Sequence, residues 1–239
     1  MKKSFGFTLA EVLITLGIIG VVAAMTMPTL LANTQGAQFK TAFKKELSTL
    51  NQAVLMQFAM EDTDFSNLVN DDGTSAYSGN GIMMSGILTS RLQAATDITE
   101  DYFNAISEVS VGAVEEECTQ EQVDDENNDC EAVGDPYTVP AQTYNATNAY
   151  VYSFADGTAF GYLTDDPNNI GCTENNVCHG FLDVNGITKP NQITICEDVE
   201  DGDATKCEPS EIHDIFPVNI YGQTVEPASK SVRAVLTNK

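Results

Sequence analysis

The chain begins with an apolar segment that is long enough to cross a membrane. From residue 7 to residue 32 almost every position is apolar or small, and Glu11 is the one charged residue in this run. A membrane-spanning helix needs about 20 such residues, so the pattern predicts one transmembrane helix. Lys2 and Lys3 precede it and predict a cytoplasmic amino end. A carboxylate in such a helix costs up to about 3 kcal/mol, so Glu11 needs a reason.

A second pattern predicts an amphipathic helix over residues 33–60. Apolar residues recur there at steps of three and four and form one stripe, with charged residues such as Glu46 between them. The two helices are expected to form one rod that bends near Pro28 or Gly36, because proline removes a backbone hydrogen bond. A proline that the membrane helix simply tolerates is the alternative. The stripe consists of Phe39, Phe43, Leu47, Leu50, Val54 and Phe58.

The remainder predicts a loop region followed by strands. Residues 61–140 form a variable acidic region with two short helices, and residues 141–239 are β-rich, with a hairpin around Asp156–Gly157 and an Asn-Gly turn at 185–186. This order predicts an α+β fold in which the long amino-terminal helix packs on a carboxyl-terminal antiparallel sheet. The short helices are predicted at Ile87–Ala95 and Tyr102–Ile106, and further strands at Ile193–Cys196, Ile215–Ile220 and Ser231–Leu236.

Charged residues are distributed unevenly along the chain. The net charge is −24, and the first 50 residues carry five lysines against two acids, whereas the rest carries 33 acids against six bases. A surface this acidic repels phosphate backbones, so direct binding of nucleic acid is not expected.

Six cysteines all lie downstream of the apolar segment, and none forms a C-x-x-C pair. An even number in the polar part predicts disulfides in an oxidising compartment, and free thiols in a cytosolic protein are the alternative. Short separations along the chain favour the pairs Cys118–Cys130, Cys172–Cys178 and Cys196–Cys207.

Candidate chemistry is sparse. The two histidines, His179 and His213, lack the spacing of metal ligands, and the sequence has no P-loop, nucleophile elbow or dinucleotide fingerprint. Asp124, Glu126 and Asn128 alternate as calcium ligands do, but the glycine and the closing glutamate of a calcium loop are missing. A solvated charge run is the preferred interpretation. The sequence therefore predicts no enzyme, no metal site and no cofactor.

The first thirty residues carry a recognisable motif. MKKSFG followed by FTLAEVLITLGIIGVVAA resembles the prepilin-type cleavage and methylation motif of type IV pilins and type II secretion pseudopilins. The resemblance implies that a prepilin peptidase cuts between Gly6 and Phe7 and methylates the new amine of Phe7. It also implies a leader at 1–6, a transmembrane and filament-core helix at 7–32, and an extracytoplasmic head at 33–239.

The resemblance also implies a role for Glu11. Cleavage creates a positive amine on Phe7, and in a filament Glu11 of one subunit would meet the Phe7 amine of its neighbour. A buried charge is far less costly when it is paired. The alternative is a solvated Glu11 at the level of the lipid headgroups. Gly20 and Ala24 form a small-xxx-small pair that permits close helix packing.

The implied function is that of a structural subunit of a type IV pilus-like or type II secretion filament. Expected partners are other pilin or pseudopilin subunits, the prepilin peptidase, an inner-membrane assembly platform and membrane lipid. The subunit is expected in the inner membrane with its head outside the cytoplasm, and then in a filament in the periplasm or at the cell surface. A membrane-anchored extracytoplasmic binding module that does not polymerise is the alternative. A pilus, a secretion pseudopilus and a DNA-uptake filament share this amino end, as do major and minor subunits.

Overall fold

A computed structural model of the chain describes residues 8–69, 81–92, 95–111, 142–163, 171–196 and 207–237. Short 3-10 helices lie at Phe65–Asn67 and Pro209–Glu211. The helices are α1 (Leu9–Glu61), α2 (Met84–Arg91), α3 (Thr99–Ala105) and α4 (Lys230–Thr237). The strands are β1 (Leu68–Val69), β2 (Ile82–Met83), β3 (Thr96–Asp97), β4 (Val109–Val111), β5 (Gln142–Tyr144), β6 (Ala149–Ser153), β7 (Ala159–Leu163), β8 (Cys178–Asp183), β9 (Ile215–Tyr221) and β10 (Thr224–Pro227).

The two predicted amino-terminal helices are one continuous helix of 53 residues. At 1.5 Å per residue, α1 is about 80 Å long. It ends where Asp62 takes a left-handed conformation with φ of 53°, and the Asp62 N–H donates to the carbonyl of Phe58 at 2.9 Å. Pro28 lies inside the helix without ending it. The bend near Pro28 or Gly36 stays a prediction.

A six-stranded antiparallel sheet forms the centre of the head, in the order β10-β9-β8-β7-β6-β3. The predicted hairpin is confirmed, because β6 pairs with β7 in a register that places Ala149 opposite Leu163. Gly157 in its turn has a φ of +90°, and Gly186 in the predicted Asn-Gly turn has a φ of +60°. Glycine reaches these conformations without a steric penalty, which is why both turns could be predicted.

Each face of the sheet carries its own core. Side chains alternate along a strand, so neighbouring residues face opposite sides. On β9, Phe216 belongs to the cluster that also contains Phe43 of α1 and residues of α2 and α4. Its neighbour Ile215 belongs to the opposite cluster with Tyr102 of α3. The long helix packed on an antiparallel sheet confirms the predicted α+β, pilin-like architecture.

Two predicted strands are wrong. Residues 231–236 lie in α4, where Val232 and Val235 are buried one helical turn apart and the Ser229 hydroxyl accepts a hydrogen bond from the Val232 N–H at 3.2 Å. Val232, Ala234 and Leu236 recur at steps of two as in a strand, but the burial of both Val232 and Val235 follows the three-residue spacing of a helix. The segment at 193–196 forms only a single bridge, between Ile193 and Ile215.

The acidic region has more regular structure than expected. The two predicted helices exist as α2 and α3, and each begins three residues earlier than predicted. The described residues of the predicted loop region at 61–140 also contain a 3-10 helix and the short parallel pair β1–β2. The pairing joins residues that are 14 positions apart, and local composition carries no signal of such a contact.

Two of the three predicted disulfides are present. Cys172 is bonded to Cys178, and Cys196 is bonded to Cys207. The first closes the loop before β8, and the second ties the segment after the Ile193 bridge to the 3-10 helix at 209–211. The predicted pair Cys118–Cys130 lies outside the described residues.

Candidate assembly site on the long helix

The amino end of α1 is closed by a reciprocal pair of side chains. Thr8 is the N-cap, and its hydroxyl accepts a hydrogen bond from the Glu11 N–H at 3.3 Å. The Glu11 carboxylate in turn accepts hydrogen bonds from the Thr8 N–H and the Thr8 hydroxyl, each at 2.8 Å. This is a capping box, and it satisfies backbone donors that the first turn of a helix leaves unpaired.

Sequence analysis missed this role of Thr8. The spacing T-x-x-E at 8–11 is the signature of a capping box, and it was available in the printed sequence. Glu11 was interpreted only as a charge that needs a partner. In the structure, the Glu11 side chain therefore caps the first turn of α1. A test of its role in assembly has to separate this capping from the effect of its charge.

The next segment of α1 exposes apolar side chains on every side. Its most apolar window has a mean hydropathy of 2.2, and none of that window is buried within the chain. Among the described residues α1 is the one helix long and apolar enough to cross a membrane. The exposed large residues are Leu9, Val12, Leu13, Ile14, Leu16, Ile18, Ile19, Val21, Val22, Met25, Met27, Leu30 and Leu31.

Gly20 lies in this exposed segment, and the space around it is open. A Cβ atom added there would meet no heavy atom within 4 Å. Ala24, its predicted partner in helix packing, lies one turn further along the same helix. Close packing of two helices at this pair stays a prediction.

Beyond residue 35 the same helix is held by the head. Gly36 is buried, and a Cβ there would lie 1.7 Å from the carbonyl oxygen of Pro209. Phe43 is fully buried and stacks on Phe216 with ring centroids 4.3 Å apart. These contacts fix the helix to the 3-10 helix at 209–211 and to strand β9 of the sheet.

Further along α1, Asn51 binds the edge of the sheet. Its side-chain amide donates to the Val225 carbonyl at 2.8 Å, and its oxygen accepts from the Val225 N–H at 2.9 Å. Val225 lies on β10, the edge strand. Asn51 therefore takes the place of a neighbouring strand there and closes an edge that could otherwise pair with another chain.

The predicted apolar stripe needs one correction. Phe58 is 40% exposed, whereas Glu46 and Gln57 are buried with 2% and 0% of their surface exposed. The buried positions advance slightly around the helix, because 3.6 residues per turn do not match a strict three-and-four repeat. The side-chain amide of Gln57 is satisfied there, since it accepts from Arg91 at 2.6 Å and donates to Thr63 at 2.8 Å.

The opposite face of the sheet holds a buried acid. Asp183 is fully buried, and its carboxylate accepts hydrogen bonds from the Tyr102 hydroxyl at 2.7 Å and from the Asn185 N–H at 3.0 Å. Burial raises the pKa of Asp183 to about 7, and the nearby charge of Asp214 contributes in the same direction. Burial also raises the pKa of Tyr102. The group holds α3 and the turn after β8 against the sheet.

The histidines and cysteines show no catalytic arrangement among the described residues. His179 Nδ1 lies 2.9 Å from the side-chain oxygen of Asn219, and His213 lines a shallow groove of about 400 Å³. In the described part of the chain, the one group with metal-like geometry is Cys196, Cys207 and Glu211. Its two cysteines form a disulfide, so their sulfur atoms are not thiolate ligands. The candidate calcium ligands at 124–128 lie outside the described residues.

Along α1 the structure shows a capped amino end that includes Glu11, followed by an exposed apolar segment. The prepilin-type motif has the same order. Residues 1–27 match the prokaryotic N-terminal methylation motif. This motif is the signature of type IV pilins and pseudopilins. No curated protein and no solved structure matches the chain.

The methylation motif contains Gly6 and Phe7, which lie outside the described residues, and Glu11, which lies in the first turn of α1. It implies processing by a prepilin peptidase and assembly with other pilin subunits. Together with the single apolar helix, it fits a protein anchored in the inner membrane with its head outside the cytoplasm.

Proposed function

We propose that the chain is a structural subunit, a pilin or pseudopilin, that polymerises through α1. A prepilin peptidase removes residues 1–6 and methylates Phe7. The product stays in the inner membrane until an assembly platform transfers it into a filament of a type IV pilus or a type II secretion system. The head, residues 33–239, then faces outward and the segment at 7–32 packs in the filament core.

One observation carries this proposal. The methylation motif lies at the start of a helix whose first half is apolar on every side and whose second half is packed on the head. A membrane covers such a first half before assembly, and the same half of other subunits covers it afterwards. Subunits that contact each other head to tail through a contact that does not close form a filament.

Glu11 provides the register of assembly in this proposal. The new amine on Phe7 lies one residue before Thr8, at the end of the helix where the Glu11 carboxylate is already placed by the capping box. In a filament, the carboxylate of one subunit pairs with the amine of the next. Only one axial offset neutralises both charges in an apolar core, so the pair selects one packing.

Mass spectrometry of the membrane-extracted protein tests the processing step. The expected result is loss of residues 1–6 and the addition of one methyl group on Phe7. An intact amino terminus, or cleavage after residue 32, contradicts the proposal. Neighbouring genes would distinguish a pilus, a secretion pseudopilus and a DNA-uptake filament.

Three variants separate the charge of Glu11 from its capping function. Glu11→Gln keeps a capping side chain and removes the charge, and Thr8→Ala removes the N-cap hydroxyl and keeps the charge. Glu11→Ala removes the charge and the side chain that accepts from the Thr8 N–H, but it keeps Thr8 as the N-cap. Leaving one member of a buried pair alone costs about 3–5 kcal/mol, whereas a lost cap costs about 1 kcal/mol. We expect both Glu11 variants to insert into the membrane and to be lost from filaments, and Thr8→Ala to assemble.

The measurement is the yield of sheared or cross-linked filament relative to the membrane-bound subunit for each variant. If Thr8→Ala fails to assemble and Glu11→Gln assembles, the function of Glu11 lies in the cap and not in its charge. Normal assembly of Glu11→Ala would show that Glu11 is solvated at the level of the lipid headgroups and has no role in assembly. If the processed wild type itself forms no filament, the membrane-anchored module that does not polymerise is the better description.

A further inference from the structure

A buried carboxyl group lies where α1 meets the turn of the β6–β7 hairpin. Glu46 is 2% exposed and lies on the buried face of the helix. Its carboxyl group and the carboxyl group of Asp156, which lies in the hairpin turn, both contact the Lys45 ammonium group, so the two carboxyl groups lie side by side. Two carboxyl groups can share a hydrogen bond only when one of them carries a proton.

Asp156 is held in place as the charged partner. One of its oxygens accepts hydrogen bonds from the N–H and the hydroxyl of Thr158, at 3.2 and 2.8 Å, and fixes the turn. The Lys45 ammonium group donates to its other oxygen and lies 3.2 Å from the Glu46 carboxyl group. The Asp156 side chain is 32% exposed and that of Glu46 is 2% exposed, so the proton belongs on Glu46.

We infer that Glu46 and Asp156 form a proton-dependent latch that fixes the β6–β7 hairpin to α1. With the proton present, Glu46 donates to the Asp156 carboxylate and Lys45 balances the single negative charge. Loss of the proton removes the hydrogen bond from Glu46 to Asp156 and leaves two negative charges against the one ammonium group that contacts both. Like charges at this distance repel, so the hairpin is then held less tightly on the helix.

The charges around Glu46 place this change near neutral pH. Burial raises the pKa of Glu46 from 4.5 to about 7, and the neighbouring Asp156 adds to the rise, whereas Lys45 opposes it. For Asp156 itself, burial works in the upward direction, but hydrogen bonds from Lys45, Glu46 and Thr158 outweigh it and lower the pKa. Asp156 therefore stays charged throughout the range in which Glu46 titrates.

The sign of the pH effect follows from this pKa. Between pH 4.5 and about 7, the closed latch holds one proton more than the open state, so closing weakens as the pH rises. Above pH 7 both states have lost the proton and the dependence ends. Asp183 has the same sign in a similar range, so a test has to compare variants and not the wild type alone.

Amide hydrogen exchange of the full-length protein in detergent micelles tests the latch. Exchange of residues 149–163, corrected for the intrinsic effect of pH, gives the equilibrium constant of opening at each pH. One released proton changes that constant by up to about tenfold per pH unit. We expect Glu46→Gln, whose amide can still donate to Asp156, to lose this tenfold component between pH 5 and 7.

Glu100→Gln is the matched control, because Glu100 is exposed on α3, which packs on the face of the sheet opposite to α1. In this variant the equilibrium constant of opening should change with pH as steeply as in the wild type. An unchanged slope in Glu46→Gln, or an equal loss in Glu100→Gln, overturns the inference. If Glu46→Gln does not fold, Asp156→Asn decides the question, since asparagine can still accept from Thr158. It should reduce the slope, and a slope equal to that of the wild type again overturns the latch.

Discussion

The two halves of α1 use hydrophobic side chains in different ways. Between residues 9 and 31 the apolar side chains point in all directions and nearly all are exposed. Between residues 36 and 57 a single face is buried against the head, and the opposite face carries mainly polar side chains, with Leu55 and Met56 exposed near its end. One helix thus combines a surface that needs an apolar environment with a surface that already has its partner.

The comparison shows that hydrophobicity alone identifies the first half but not the second. In the first half no core selects some positions for burial over others. The apolar composition is therefore sufficient to identify this segment. In the second half, the position on the helix decides which residues are buried. Glu46 and Gln57 lie inside and Phe58 lies largely outside, contrary to their polarity. Buried polar side chains are tolerated there because each has a partner.

The largest expected effect concerns two phenylalanines in the second half. Phe43→Ala removes a fully buried ring that stacks on Phe216, and a substitution of this kind costs about 3–5 kcal/mol. Phe58→Ala, at a position 40% exposed, should cost less than about 1 kcal/mol. Chemical unfolding of the full-length protein in detergent micelles measures both. Equal losses would mean that Phe58 is covered by the head, and that the second half has two buried faces.

The second effect concerns two glycines of α1. Gly36→Ala places a Cβ atom 1.7 Å from the Pro209 carbonyl oxygen, and the backbone has to move, at a cost of about 1–3 kcal/mol. Gly20→Ala meets nothing within 4 Å, so the head should keep its stability. Thermal unfolding of the head measures this pair. A stabilised Gly36→Ala variant would contradict the close contact between α1 and the 3-10 helix at 209–211.

Sequence analysis was most successful where the signal is local. The continuous apolar segment, the Asp156–Gly157 hairpin and the two short disulfides depend on neighbouring residues, and the structure contains all of them. The fold class followed from these elements, because a helix and hairpins with apolar faces have few ways to pack.

The failures have one physical cause, which is that the deciding contact is distant in sequence. The burial of Glu46 depends on Asp156, 110 positions away, and no local pattern contains that contact. The segment at 231–236 is rich in β-branched residues and was predicted as a strand, yet its two valines are buried one turn apart in a helix on the sheet. The capping box at Thr8 is different, because its sequence signal was present and was not used.

The smallest expected effect concerns the neighbours Asn51 and Gln52, which differ in the face they occupy. Asn51 exchanges two hydrogen bonds with the backbone of Val225, and Gln52 donates to Ser48 on the exposed face at 3.0 Å. Asn51→Ala leaves the N–H and carbonyl of an edge strand without this partner, which costs about 1–2 kcal/mol. Gln52→Ala should change stability by no more than about 0.5 kcal/mol.

Hydrogen exchange of the Val225 amide distinguishes this mechanism from a general loss of stability. In Asn51→Ala the protection of that amide should fall more than the protection of β8 in the centre of the sheet, because only the edge has lost a partner. Asn51→Asp provides a finer test, since a carboxylate can accept from the Val225 N–H but cannot donate to its carbonyl. It should lie between the wild type and Asn51→Ala. Equal protection of the Val225 amide in Asn51→Ala and Gln52→Ala would show that α1 is held by its apolar contacts alone.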